Sequence, residues 1–389
     1  MFYRRFAAAA AILCLASGAF SPAASAPVTV RDVRFWTAPD YTRVVIDVSG
    51  QTSYSVRSIA GPHRVVIELP ACAAAKSVGN QAVGDGVIER IRVNRLKTGV
   101  QVVLDVPRET EFKHFPLRAE QGRPDRIVID LARTLSGAEV EKRAAEKRRV
   151  AESSGYVIAI DAGHGGDAPG AVHHGIHEKT LNLRLARMLK EEIERRKGYT
   201  AVLIRDGDYD VVWYKRVLKA REHNADAFVS LHFNGARDSR LSGIELYIIS
   251  PEGVVDENAE AVAEREHLMQ EVQGQGGVVN GDLESILFDV TRTNTMQRSA
   301  LLTEEVARAL KKEKDPPIPF RAIRQRNFVV LRGISMPSIL VEGGYLSNKK
   351  DASIVAKDGY LRWLARSLAD GIEEFFLKHP PAAENAGER

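Results

Sequence analysis

The sequence predicts an α/β domain with a mostly parallel sheet and flanking helices, preceded by a small all-β sandwich domain. The chain has 389 residues, which is long enough for two domains. Residues 28–132 contain short apolar strands between Gly, Pro and Asn turns, a pattern typical of a two-sheet sandwich. From Tyr156 onward, apolar strands alternate with amphipathic helices, and this alternation favours a layered α/β domain.

Residues 1–26 have the pattern of an export signal peptide. An arginine pair precedes a short apolar core at residues 7–16, and the small residues 23–26 suit a cleavage site. Sec export is favoured over the twin-arginine route because the residues after the arginine pair fit that signal poorly. The apolar core is too short to span a membrane, so no mature transmembrane segment is expected. Cys72 would remain alone in the mature chain, which predicts no internal disulfide.

Residues 27–135 are predicted to form the first domain. A similar strand recurs at unequal spacings, which argues against a solenoid, at residues 43–48, 64–69, 102–106 and 126–131. No cluster of His, Cys or carboxylate residues stands out, and this favours a binding or spacer role without catalysis. The domain carries 16 basic and 12 acidic side chains. That mild basic excess suits an anionic surface such as cell wall and is too weak to indicate nucleic acid.

A charged linker and the second domain follow. Residues 136–154 are highly charged and poor in apolar side chains, which predicts a solvated tether. The second domain is predicted over residues 155–379, with helices after Glu178, around 211–223, from about 285 to 312 and at the carboxyl end. Residues 380–389 are rich in Pro, Ala and charge, and we expect them to be disordered.

Three apolar strands of the second domain each lead into a residue that can bind a metal or transfer a proton. The first leads into a glycine turn that carries His164, the second into His232 and the third into Glu342. Ligands collect at the carboxyl ends of parallel strands. The sequence therefore predicts that these side chains share one site.

Their residue types indicate a zinc hydrolase. Such enzymes use three His or carboxylate ligands and leave a position for water, and His164, Glu178 and His232 supply that set. Glu342 is the candidate to accept a proton and pass it to the leaving amine. Each residue alone is as well explained by a turn, a helix end or a strand end, so the prediction depends on the coincidence of all four. Three other histidines precede Glu178 and compete as ligands, namely His173, His174 and His177.

Four ordered motifs resemble those of the zinc-dependent N-acetylmuramoyl-L-alanine amidases of bacterial cell-wall turnover. They are IDAGHGG at 160–166, HEK at 177–179, SLHFN at 230–234 and LVEGGYLSN at 340–348. The resemblance covers roughly residues 155–378. It implies zinc binding by His164, Glu178 and His232, and catalysis by Glu342. The chain departs from the family's usual pattern at Ala162 and Gly343, neither of which is an expected ligand.

The resemblance also implies a substrate and a cellular role. The reaction is hydrolysis of the amide between the muramic acid lactyl group and the first L-alanine of the peptidoglycan stem peptide, in wall turnover and daughter-cell separation. Residues 28–132 resemble the AMIN domain, a peptidoglycan-binding module, in their strand pattern. The Gram-negative cell-division type places the protein in the periplasm. We expect hydrolysis of small soluble fragments to survive removal of residues 27–135.

Residues 251–284 form a longer connection than a compact α/β domain needs. An acidic, helix-prone run at 256–266 precedes a glycine-rich hinge at 274–277. One interpretation is a surface insertion without function. The other, which the resemblance supports, is an autoinhibitory lid that places Glu264 or Glu266 on the open metal position and is released by a LytM-type activator protein.

Two further functions are compatible with the same residues. A zinc peptidase that acts on stem peptides would use the same ligand types. A catalytically inactive wall-binding protein would retain the fold, although the presence of all four site residues argues against it.

Overall fold

The computed structural model describes residues 27–119, 123–134, 155–249, 292–331 and 334–380, together with residues 141 and 145. The predicted signal peptide, most of the predicted linker, all of the predicted tail except its first residue, and the whole predicted lid, with Glu264 and Glu266, lie outside these residues. No helix within the described ranges is long and apolar enough to cross a membrane.

The first domain consists of strands alone over its described residues. They are β1 (Thr29–Thr37), β2 (Tyr41–Val48), β3 (Ser55–Ile59), β4 (Arg64–Pro70), β5 (Ala73–Ala74), β6 (Gln81–Ala82), β7 (Arg90–Leu96), β8 (Gly99–Asp105), β9 (Phe112–Leu117) and β10 (Asp125–Ala132). They form two five-stranded sheets in the orders β5-β1-β2-β10-β9 and β3-β4-β8-β7-β6. Alternate apolar residues of both sheets, among them Ile46, Ile67 and Leu104, are fully buried in one core. The predicted all-β sandwich is confirmed.

The second domain alternates strands and helices. Its elements are β11 (Tyr156–Ala162), β12 (Val172–His173), β13 (Ile176–His177), α1 (Glu178–Glu194), β14 (Tyr199–Leu203), α2 (Trp213–Glu222), β15 (Ala227–Asn234), β16 (Ile244–Ile249), α3 (Arg292–Leu310), β17 (Phe320–Arg326), a 3-10 turn (Val329–Leu331), β18 (Ser338–Tyr345), α4 (Lys349–Val355) and α5 (Asp358–Lys378).

Six of these strands form one sheet in the order β14-β11-β15-β18-β16-β17. The first four run parallel to one another, β16 runs antiparallel to β18, and β17 runs parallel to β16. Helices α1, α3 and α5 pack on one face, where Leu185, Val306 and Leu368 are fully buried. Helix α2 packs on the other face through Val217. The central strands are therefore covered on both sides, which explains their nearly continuous apolar sequence, and the predicted α/β layer architecture is confirmed.

Two strands extend further than the sequence pattern indicated. β15 continues past His232 to Asn234, and β18 continues past Glu342 to Tyr345. The reason is that the two strands pair with each other in parallel register as far as Asn234 and Tyr345. Both functional residues thus lie inside a strand near its carboxyl end, rather than just after it.

Candidate metal and catalytic site

The structure brings three of the predicted site residues into one buried cluster. His164 follows β11, Glu178 opens α1, and His232 lies in β15. The Nε2 atom of His164 is 3.2 Å from Oε1 of Glu178, and Nδ1 of His232 is 2.9 Å from the same oxygen. All three side chains are almost fully buried. Donor atoms of this kind, from three different elements, make a candidate metal centre.

The carboxylate of Glu178 is fixed by the backbone around it. Its Oε2 atom accepts a hydrogen bond of 2.7 Å from the Ala171 amide, and Oε1 accepts one of 3.2 Å from the Phe233 amide. Burial alone would raise the pKa of Glu178, but attraction and hydrogen bonds from His164 and His232 outweigh it and hold that pKa well below the usual range. Glu178 is therefore a charged carboxylate in a fixed orientation, as a candidate metal ligand requires.

His164 sits in a backbone conformation that few residues other than glycine adopt, with φ of 60°. Two buried arginines of the same domain hold the carbonyl groups around it. Arg205 donates to the Gly163 carbonyl at 2.9 Å, and Arg216 donates to the His164 carbonyl at 3.1 Å. Burial, followed by the positive charge of Arg216, lowers the pKa of Arg205 to about 10. These hydrogen bonds stabilise the turn that carries His164, and a strained backbone conformation persists only when the surrounding structure holds it in this way.

Two glycines are required by close approach to the ligands. A Cβ atom at Gly163 would lie 2.2 Å from the His232 ring, and one at Gly170 would lie 2.4 Å from Oε2 of Glu178. No side chain fits at either position without displacing a ligand. The glycine-rich sequence around His164 is thus explained by packing against the metal-binding side chains.

Glu342 lies beside the cluster on the neighbouring strand. In the parallel pairing of β15 and β18, its Cα partner is His232. Its side chain is 3% exposed. A buried carboxylate on the strand next to His232 is a candidate general base for a reaction at this site.

A second buried carboxylate, Glu245, continues this row across the sheet. Its Cα partner is Glu342 in the antiparallel pairing of β16 and β18. Glu245 accepts hydrogen bonds from the hydroxyls of Tyr247 at 2.6 Å and Tyr345 at 2.9 Å, and Arg324 donates to it at 3.1 Å. Burial, and then the charge of Glu245, raise the pKa of both tyrosines, so they stay protonated as donors.

The donor set fits a zinc ion. Zinc in hydrolases takes three protein ligands, either three imidazoles or two imidazoles and a carboxylate, at about 2.0–2.2 Å in tetrahedral geometry, which separates the ligand atoms by about 3.4 Å. The donor atoms of His164, Glu178 and His232 all lie within 4.8 Å of one another. A fourth position would be left for water. The three residues can therefore hold a metal ion without rearrangement of the backbone.

The rival histidines do not join this cluster. His173 and His177 lie on the two short strands of the β12–β13 hairpin, and His174 occupies its turn. Within the ranges that the structure describes, the potential metal ligands whose donor atoms lie close together are those of His164, Glu178 and His232.

Several residues that organise the site were not singled out by the sequence. Glu245 belongs to no local sequence motif, and it is the pairing of β16 with β18 that places it beside Glu342. Asn182, four residues after Glu178, donates to the Gly163 carbonyl at 3.0 Å. Its spacing on helix α1 is the one signal that could have marked it, because residues four apart share a helix face.

The chain matches two known families. Residues 158–374 match the family described as N-acetylmuramoyl-L-alanine amidase, and residues 32–130 match the AMIN domain. These ranges correspond to the α/β domain and to the β sandwich.

Similar proteins carry the same description. The chain is 27% identical to N-acetylmuramoyl-L-alanine amidase AmiC of Neisseria meningitidis serogroup B, with 92% of this chain and 94% of that protein covered. It is 26% identical to the AmiC protein of Escherichia coli O6:H1, with 88% of each chain covered. It is 30% identical to N-acetylmuramoyl-L-alanine amidase AmiA of Escherichia coli K12 over 57% of this chain and 76% of that protein.

Proposed function

The chain belongs to the N-acetylmuramoyl-L-alanine amidase family, and from that premise we propose that it is a zinc enzyme whose ligands are His164, Glu178 and His232. Its reaction is hydrolysis of the amide between the muramic acid lactyl group and L-alanine of peptidoglycan. The observation that carries this proposal is the juxtaposition of the three buried donors with Glu342 on the adjacent strand.

A bound zinc ion would polarise the scissile carbonyl and lower the pKa of a water molecule at the open position. Glu342 is the carboxylate that would accept a proton from the attacking water as the water oxygen bonds to the carbonyl carbon. Glu342 then donates the proton to the nitrogen of L-alanine, and the carbon–nitrogen bond breaks. The products are a lactyl carboxylate and a free amino group on the stem peptide, so Glu342 acts first as base and then as acid.

The strand pairing around Glu342 supports this role. Glu245 lies on the far side of Glu342 from the proposed metal ligands, and hydrogen bonds from Tyr247, Tyr345 and Arg324 fix its carboxylate. Glu245 is thus a positioning residue beside Glu342, whereas Glu342 is the residue proposed to contact the reacting atoms.

The experiment is digestion of purified sacculi and of defined muropeptides by the full-length protein with zinc, followed by mass analysis of the products. We expect intact stem peptides and peptide-free glycan. Shortened peptides still attached to glycan would instead identify a zinc peptidase on stem peptides. Binding to sacculi without any product, in a protein that holds zinc, would identify an inactive wall-binding protein.

The organisation of the chain completes the proposal. Residues 1–26 serve as the signal peptide, 27–135 as the wall-binding AMIN-like domain, 136–154 as the linker and 155–379 as the catalytic domain, with 380–389 as a disordered tail. The protein then acts in the periplasm. The matches at residues 32–130 and 158–374 support the two globular parts of this division.

Residues 251–284 are proposed as a lid that a LytM-type activator protein releases, with Glu264 or Glu266 on the open metal position. The support is the acidic, helix-prone sequence together with the resemblance to the amidase family. Deletion of residues 254–280 is expected to raise the activity of the purified protein on sacculi severalfold or more. The same activity with and without the deletion would refute the lid and leave the amidase proposal untouched.

A further inference from the structure

Charged side chains of the first domain reach two loops of the second domain. Arg126 on β10 donates to Oδ2 of Asp167 at 2.7 Å, and Arg34 on β1 lies 3.0 Å from Oδ1 of the same carboxylate. Arg43 on β2 donates to Oδ2 of Asp210 at 2.9 Å. The first sheet of the sandwich therefore faces the catalytic domain, on the side where the metal ligands lie.

These ion pairs are removed from water. Arg126 is 2% exposed, and Arg43, Asp167 and Asp210 are each less than a tenth exposed. Buried charges of this kind are costly to leave unpaired. Arg43 also pairs with Asp130 of its own domain at 2.7 Å, whereas the ion pairs that the structure describes for Asp167 and Asp210 are with arginines of the first domain. Further contacts join the same surfaces, since the hydroxyl of Tyr41 donates to the Asp210 carbonyl at 2.7 Å.

Asp167 lies in the loop that carries His164, and Asp210, in the loop after β14, contacts that loop. The carboxylate of Asp210 lies 3.4 Å from the backbone amides of both Asp167 and Ala168. Ala168 in turn exchanges two backbone hydrogen bonds with Gly165, the residue after His164. The first domain is thus connected to His164 through Asp210 and the backbone of residues 165–168.

The far end of the same loop supports the second ligand. Ala171 donates to Oε2 of Glu178, and Gly170 packs directly against that carboxylate and the His164 ring. A shift of residues 165–170 would therefore disturb two of the three proposed ligands together. Lys179, whose Nζ donates to the Gly166 carbonyl at 2.7 Å, lies 5.6 Å from the ring centre of Trp36 on β1.

We propose that the first domain docks on the catalytic domain and fixes the loop of residues 163–171, so that the docked chain has the higher metal affinity and activity. Arg43 and Arg126 are positioning residues for this site. The inference rests on the proposed metal centre but not on the substrate. It differs from the expectation, drawn from the sequence, that hydrolysis of small soluble fragments survives removal of residues 27–135.

The test uses the full-length chain with Arg43→Met and Arg126→Met combined. Both changes lie in the first domain and leave every residue of the catalytic domain intact. The matched control combines Arg57→Met and Arg92→Met on the other sheet, where Arg57 pairs with Glu68 at 2.9 Å and Arg92 pairs with Asp105 at 2.6 Å within the first domain. Small-angle scattering measures docking, chelator competition measures zinc affinity, and the absorption spectrum of the Co²⁺-substituted protein reports ligand geometry.

We expect the Arg43/Arg126 variant to have a larger radius of gyration, an altered Co²⁺ spectrum and a zinc affinity lower by about 10- to 100-fold, the usual effect of losing support behind metal ligands. The Arg57/Arg92 control should match the unmodified protein in all three. Undocked domains with unchanged zinc affinity would overturn the inference, and so would domains that stay docked.

A second variant guards against misfolding of the first. Asp167→Asn keeps the size of the side chain but removes the charge that Arg126 and Arg34 share, and it is expected to lower zinc affinity in the same direction. An unchanged affinity in a folded Asp167→Asn protein also overturns the inference. If the unmodified protein itself holds no zinc, the proposed metal centre fails instead, which distinguishes the two proposals.

Discussion

The two domains both bury arginine–aspartate pairs, but they use them differently. In the catalytic domain, Arg216 donates to Asp161 at 2.6 Å, and both residues belong to the same core. In the first domain, Arg126 and Arg43 reach carboxylates of the other domain. The first kind of pair stiffens one structure internally, whereas the second kind joins two structures. The contrast is thus between a pair that belongs to one core and pairs that link the first domain to loops beside the candidate metal site.

The largest expected effect tests whether the chemistry belongs to the catalytic domain alone. His232→Ala should lose both bound metal and activity, because a ligand is removed. Glu342→Gln should keep the metal and lose activity by about 10²- to 10⁴-fold, because the proton carrier is gone. Metal content by mass spectrometry and product release from sacculi measure the two quantities separately.

His174→Ala provides the matched control for the ligand variant. This histidine lies on the hairpin outside the metal cluster, so metal content and activity should be unchanged. Loss of metal from His174→Ala, or full activity in Glu342→Gln, would contradict the assignment of roles within the catalytic domain.

A smaller effect, on stability, sharpens the contrast between the two kinds of ion pair. Arg216→Met leaves Asp161 buried, and among the described residues Ser230 is then its one side-chain donor, at 2.8 Å. We expect the free energy of unfolding of the catalytic domain to fall by about 3–5 kcal/mol. Arg126→Met should reduce it by less, because undocking exposes Asp167 to water. Denaturant unfolding followed by circular dichroism makes the comparison, and equal losses would mean that the domains form one inseparable core.

The same contrast explains what the sequence could predict. His164, His232 and Glu342 were predictable because each follows a run of buried strand residues, a pattern that is local in the chain. Glu245 was not, because its position depends on strand order, with β16 beside β18. Arg126 was not either, since an arginine in a strand ordinarily marks a solvent-exposed face, and only the docked neighbour shows that it is buried.

The smallest expected effect concerns the first domain by itself. Asp85 accepts hydrogen bonds from the hydroxyls of Thr37 at 2.8 Å and Thr42 at 2.5 Å, and from the amides of Val87 at 2.9 Å and Ile88 at 2.8 Å. Burial raises the pKa of Asp85, but these donors, with the Ile88 amide foremost, outweigh it and lower that pKa below the usual range.

A carboxylate whose pKa is lower in the folded state stabilises the fold fully above its unfolded pKa of about 3.9, and that contribution disappears as the pH falls through the folded value. We therefore expect Asp85→Asn to destabilise the first domain by about 1–2 kcal/mol at pH 7 and to flatten its loss of stability below about pH 4. Because Asp85 contacts no residue of the metal centre, zinc affinity should stay the same. Thermal unfolding between pH 3 and pH 7 measures the first effect and chelator competition the second. If the loss of stability between pH 7 and pH 3 is unchanged in Asp85→Asn, a group other than Asp85 causes it. If zinc affinity falls, the metal site depends on the stability of the first domain as well as on its docking.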